Sequence, residues 1–155
     1  VATIERFEQI EAWKTARELT RWVYRMSNIG AMSRDFGLRD QMRRAAVSIM
    51  SNIAEGFESR TRNLFVDYLG RAKASCGELR AQCYVCLDVN YATQPEFDAL
   101  IQLAEKCSKQ ISNFMWYLQS DKSSSHALRE EPELYELDQP YQPYTQTNTQ
   151  PIASE

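Results

Sequence analysis

Residues 44–56 read RAAVSIMSNIAEG, and their periodicity decides how the rest of the chain is to be divided. At about 100° per residue, Met42, Ala46, Ile49 and Ile53 fall on one side of a helix, with Val47, Met50 and Ala54 on the adjoining flank. Arg44, Ser48, Ser51, Asn52 and Glu55 form the opposite stripe. An ordinary exposed face is rich in Lys and Glu, whereas this one uses short hydroxyl and amide groups, which weaken an isolated helix. Ala45, Ala46, Ala54 and Gly56 would also let another backbone come close. The stripe is therefore either a solvated face or an assembly stripe packed at a helix or subunit contact, with Asn52 and Glu55 hydrogen-bonded and Arg44 in an ion pair.

Working outward, three further helices are expected. The first spans about residues 10–28 on the recurrence of Trp13, Ala16, Thr20, Val23 and Ser27, with Gly30 stopping it. The second resumes at Phe36-Gly37-Leu38 and runs to Glu55, with Gly56 expected as a left-handed terminator. Thr61 is the expected N-cap of the third, whose stripe is Phe65, Leu69, Ala72, Cys76, Leu79, Cys83 and Cys86/Leu87, ending near Asn90. Thr93 and Glu96 have capping-box spacing and Pro95 suits a first turn. The fourth helix then presents Phe97, Leu100, Ile101, Ala104, Cys107, Ile111, Met115 and Leu118. No stretch alternates with period two, and the connections are short. The expectation is an all-α, antiparallel up-down four-helix bundle over residues 1–121.

From residue 122 onward the composition changes to Ser, Gln, Thr, acidic residues and four of the five prolines. Such a segment buries too little apolar surface to offset ordering entropy, so residues 122–155 are expected to be a disordered tail. Tyr135, Tyr141 and Tyr144 are either anchors of a short binding motif or plain members of a solvated tail. Charge divides the same way. Residues 1–120 hold 16 Lys+Arg and 14 Asp+Glu, a balance of +2, while residues 121–155 hold 2 and 7, a balance of −5. The acidic pI thus describes the tail more than the body, and it does not exclude a partner that prefers basic surfaces. No apolar run approaches the roughly 18 residues of a membrane span and no leader pattern opens the sequence. A cytoplasmic protein with free thiols is expected.

The second and third helices carry a recognisable pattern: Phe36-Gly37-Leu38, Gln41, residues 43–49 (RRAAVSI), residues 51–56 (SNIAEG), then Phe65, Leu69, Ala72, Glu78 and Leu79. Over roughly residues 5–120 the chain resembles the bacterial four-helix-bundle proteins encoded in intervening sequences of 23S ribosomal RNA genes. The resemblance implies a homo-oligomer, typically a pentamer, without enzyme activity. It is also similar to bundles that serve as accessory partners of reverse transcriptases in diversity-generating retroelements, where the pentamer is basic and binds nucleic acid and the polymerase. The chain departs from the pattern at Arg39, where a polar cap-like residue is usual, at Leu64, where Glu is frequent, and at Met50, where a small residue or Pro is common.

Arg39, Arg43, Arg60, Arg62, Arg71, Lys73 and Arg80 concentrate mid-chain, interrupted by six carboxylates between Asp35 and Glu78. They form either a solvated, ion-paired face or a nucleic-acid contact that a ring would repeat into a belt, with salt-sensitive phosphate binding. Cys83 and Cys86 make a lone CxxC, but all four cysteines lie on apolar stripes, where free thiols act as small hydrophobes. The one histidine, His126, is in the expected tail. With no His in the body, no Gly-rich phosphate loop and no nucleophile elbow, no catalytic, cofactor or metal residue is assigned. Glu55 and Glu78 as an acid-base pair is the weaker alternative to a structural role. Two functions follow: a non-enzymatic, pentameric scaffold that docks a protein or ribonucleoprotein, such as a reverse transcriptase, or a module that binds RNA or DNA directly.

Overall fold

The computed structural model describes residues 3–120 and 128–129. Helix α1 covers Glu11–Met26, α2 Phe36–Phe57, α3 Arg62–Asp88 and α4 Gln94–Ser120. Each packs on its sequence neighbour, and α1 also packs on α4, which closes the four into a bundle. The direction of the helices is visible in the cross-links. Lys73 donates to Ser112, and seven residues later Arg80 meets Glu105, so α3 and α4 run antiparallel.

The caps explain where most elements begin and end. Thr61 Oγ1 accepts from Leu64 N at 3.2 Å, and Thr93 and Glu96 exchange the two bonds of a capping box at 2.8 and 3.4 Å. Helix α3 ends in a Schellman motif: Tyr91 N bonds Cys86 O at 2.8 Å, Asn90 N bonds Leu87 O at 3.1 Å, and Asn90 takes a φ of 61°. Asp35 caps α2, accepting from Leu38 N at 3.1 Å.

Two boundaries and one strand pairing differ from expectation. Helix α1 stops at Met26, with Ser27 as its cap, and Ile10 lies outside it after a 3₁₀ turn at Phe7–Gln9. Helix α2 passes through Gly56 without leaving helical geometry and ends at Phe57. The glycine is there for space, not for a left-handed turn: a Cβ on it would lie 2.5 Å from Phe65 Cδ2 and 2.9 Å from Tyr68 Cβ. The third difference is a two-residue antiparallel ladder, in which β1, Thr3–Ile4, pairs with β2, Leu128–Arg129. Apart from β2, the expected tail, with Tyr135, Tyr141 and Tyr144, lies outside the described residues.

The core is the sum of the four apolar stripes. Met42, Ala46, Ile49 and Ile53 are fully buried, whereas Val47 on the flank is 40% exposed. On α4 Phe114 is buried where Met115 is expected, and Met115 is only half-buried. Phe114 stands edge-on to Phe65 at 5.2 Å between centroids and Phe65 edge-on to Phe57 at 6.2 Å, favourable quadrupole arrangements that pin the α2–α3 end to α4. All four cysteines are free and buried.

Candidate interaction surfaces

The polar stripe of α2 divides in two. Ser48 and Asn52 are half-buried and turn toward α3: Ser48 and Ser75 share a hydrogen bond of 3.0 Å, and Asn52 Nδ2 donates to Ser48 O at 2.8 Å and Ser48 Oγ at 3.0 Å. Their hydrogen bonds are spent within the chain. Ser51 is also half-buried, while Arg44 and Glu55 are exposed and have no hydrogen bond or ion pair among the described residues. Arg44, Val47 and Ser48 open onto a shallow groove of 610 Å³ that runs along α2 between Tyr24 of α1 and Glu78 of α3, with Arg43 also lining it. Tyr24 and Val47 give it an apolar floor, 41% and 40% exposed. Glu55 and Glu78 do not share it, since Glu55 is not among its lining residues.

Most of the mid-chain cations are already engaged. Arg43 donates to Ser27 Oγ at 2.8 Å, Ser27 O at 3.3 Å and Asn28 Oδ1 at 2.7 Å, and its guanidinium lies 4.7 Å over the Tyr24 ring. Those bonds hold the end of α1 against α2. Arg39 meets Asp40 at 3.2 Å, donates to Ser33 O at 3.0 Å and covers Phe36. Arg80 pairs with Glu105 at 3.0 Å, Lys73 donates to Ser112, and Arg71 lies over Tyr68 at 5.2 Å. Arg60 is exposed and Arg62 half-buried. These residues are spread over two helices and a loop rather than gathered on one face.

The cationic face that does exist lies on α1. Lys14, Arg17, Arg21 and Arg25 are all exposed. Arg17, Arg21 and Arg25 recur every four residues, which stacks them along one side of a helix at about 6 Å per step. The spacing in residues 17–25, RELTRWVYR, carries that signal in the sequence, beside a denser run of arginines in mid-chain. A second feature not legible as a cluster is apolar. The up-down topology puts the end of α1, the start of α2 and the end of α3 at one pole, where Ile29, Phe36, Val85 and Val89 remain 66%, 63%, 45% and 47% exposed.

The thiols sit apart from every surface. Burial pushes Cys83 up to about 12, with the neighbouring Cys86 adding to it, and burial raises Cys86 to about 11, reinforced by the charge of Asp35. Cys107 is raised by its hydrogen bond with Cys76 and by burial. Groups that hold their protons so firmly are poor nucleophiles and poor metal ligands. Among the described residues no three His, Cys, Asp or Glu side chains are grouped to hold a metal ion, and no helix is long and apolar enough to cross a membrane.

The model of the 23S rRNA-intervening sequence protein family matches residues 8–113, more than half of the chain, from before α1 into α4. The chain belongs to that family. Among solved structures it is similar to a protein of unknown function from the S23 ribosomal protein family of Bacteroides thetaiotaomicron, at 18% identity and a TM-score of 0.63. The match covers 68% of this chain and 95% of the other. At that identity the likeness is one of fold. No curated protein matches.

Proposed function

We propose that this member of the 23S rRNA-intervening sequence protein family is a non-enzymatic scaffold that self-associates, as a ring of five bundles, and docks a protein or ribonucleoprotein partner. The observation that supports it is the groove along α2. Its apolar floor, Tyr24 and Val47, is bordered by the cations of Arg43 and Arg44 and the carboxylate of Glu78, with Arg43 already bonded to Ser27 and Asn28. A rim of both signs around an apolar strip suits another helical surface better than a phosphate backbone, which calls for one sign only. The exposed apolar side chains Ile29, Phe36, Val85 and Val89 at one pole are then available to the partner, since apolar surface left exposed marks interaction sites. Direct RNA or DNA binding by the mid-chain cations has less support, because Arg39, Arg43, Lys73 and Arg80 are occupied within the fold.

Light scattering on the purified chain tests the assembly. A mass five times the 18.0 kDa protomer is expected, falling to one protomer in Val47→Asp with the helical circular dichroism unchanged. A single protomer mass for the intact chain at every concentration would overturn it. A 260/280 nm absorbance ratio typical of bound nucleic acid, lost with added salt, would favour the nucleic-acid module instead.

A further inference from the structure

A second groove, of 990 Å³, runs along the outer side of α1. Arg6, Lys14, Arg17, Arg21 and Arg25 line it over an apolar floor from Trp13, Trp22 and Met50, with Glu8 and Glu18 as its carboxylates. Five cations against two carboxylates leave it at +3. Arg6 pairs with Glu8 at 3.3 Å, and Lys14 pairs with Glu11. Arg17, Arg21 and Arg25 have no ion pair among the described residues, and Arg17 lies 5.8 Å over the Trp13 ring. Unpaired charge of one sign in a concave, apolar-walled site focuses the field on whatever enters it.

The chain itself carries the complement. Residues 130–138 read EEPELYELD: five carboxylates in nine residues, interleaved with Leu134, Tyr135 and Leu137. The antiparallel pairing of Thr3 with Arg129 anchors the start of this segment beside Thr3, three residues from Arg6, on a heading away from Arg6, so the segment enters the groove by turning back. Three residues reach about 10 Å and nine extended residues about 30 Å. The cationic row from Lys14 to Arg25 is only about 16 Å long. A segment tethered this closely acts at an effective concentration on the order of millimolar, so even a weak peptide affinity would fill the groove.

The geometry points to residues 130–138 as the occupant of the α1 groove: an acidic peptide of the same chain, its carboxylates on Arg17, Arg21 and Arg25 and its apolar residues on Trp13 and Trp22. An outside polyanion reaches this face only by displacing it, which rising salt or a charge change in the segment would permit.

Carbodiimide coupling of the full chain tests this, because it joins an amine to a carboxylate in contact and Lys14 is the one amine among the groove's lining residues. At low salt, mass spectrometry should find Lys14 coupled to a carboxylate of residues 130–138. The product should be lost at about 0.5 M salt and in an R21E/R25E variant that keeps its helical circular dichroism. Neutralising the five carboxylates to Gln and Asn should abolish the coupling and tighten binding of a fluorescent oligothymidylate. Absence of the coupling, its survival in R21E/R25E, or equal oligothymidylate binding by the neutralised and intact chains would overturn the proposal. So would coupling found only between isotope-labelled and unlabelled copies, which would assign the segment to a second protomer.

Discussion

Gly56 and Phe65 are packed so closely that the glycine has no room for even one methyl group: a built Cβ falls 2.5 Å from Phe65 Cδ2, with the Tyr68 Cβ 2.9 Å away. The Tyr68 Cβ is fixed to its backbone and cannot swing aside, so the contact sets how near α2 and α3 lie. Gly56→Ala gains about 1 kcal/mol of helix propensity and forces an overpacked crossing that costs about 1–3 kcal/mol. A net loss is expected, read as a lower urea midpoint with an unchanged slope.

Asp35 divides its two oxygens between distant parts of the chain. Oδ1 caps α2 through Leu38 N, and Oδ2 accepts the Tyr91 hydroxyl at 3.1 Å from the α3–α4 connection. Asp35→Ala should cost about 1 kcal/mol from the lost cap and additionally free the connection. Tyr91→Phe should cost less and should add nothing in the Asp35→Ala background. Additive losses in that double-mutant cycle would show that Tyr91 and Asp35 are not coupled and overturn the prediction.

Much of this is legible in the sequence, for reasons that differ by element. The stripes of α3 and α4 are long and strictly periodic, so spacing alone puts Cys76, Leu79, Cys83, Leu100 and Ile111 in the core. Thr61 and the Thr93–Glu96 pair carry capping chemistry local to four residues, and local chemistry shows in sequence. Gly56 misled because a glycine near a helix end usually serves backbone conformation, whereas here its neighbour is 9 residues away in Phe65. Asp35 stood in an expected loop, and its second partner is 56 residues distant. The ladder of Thr3 with Arg129 joins residues too far apart for any periodicity to signal. As for the sites, the spacing of the α2 stripe was legible, but not the division that spends Ser48 and Asn52 on α3 and leaves Arg44 and Glu55 outside.

That division is testable. Ser48→Ala and Ser75→Ala should each lower stability by about 1 kcal/mol and be strongly coupled, because they share one hydrogen bond. Neither should change the assembled mass in light scattering. Arg44→Ala and Glu55→Ala, on the exposed side, should leave the urea midpoint nearly unchanged while lowering that mass. The opposite pattern would place the assembly contact elsewhere.

The raised thiols make an alkaline limit. In the unfolded chain they ionise near 9.0, whereas Cys83 and Cys86 in the fold hold their protons to about 12 and 11. Above pH 9 the native state therefore binds more protons than the unfolded one, and stability falls as pH rises. It is fully present below 9 and lost through the folded values. Denaturation midpoints should drop between pH 9 and about 12, less steeply in Cys83→Ala, and a thiol reagent at pH 8 should label the cysteines only as fast as the protein opens.

Glu96 sets the corresponding acid response. Bonds from the Thr93 backbone N–H and hydroxyl hold its carboxyl below the usual value of 4.5. Its contribution is present above that value and lost as pH falls through the lower, folded one. Amide exchange in the first turn of α4 should accelerate over this acid range in the native protein, and Glu96→Gln should remove most of that pH dependence.

The pairing of Thr3 with Arg129 brings the first and last described strands within a strand spacing of one another, about 4.8 Å. The bundle is thus a closed circuit as well as a linear chain. A short bridge across that gap, with a cut in the exposed stretch from Asn28 to Ala31, would give a permuted chain that begins with α2 and ends with α1. The same core would assemble from that order, so the contacts of these four helices, and not the order in which they are threaded, define the fold.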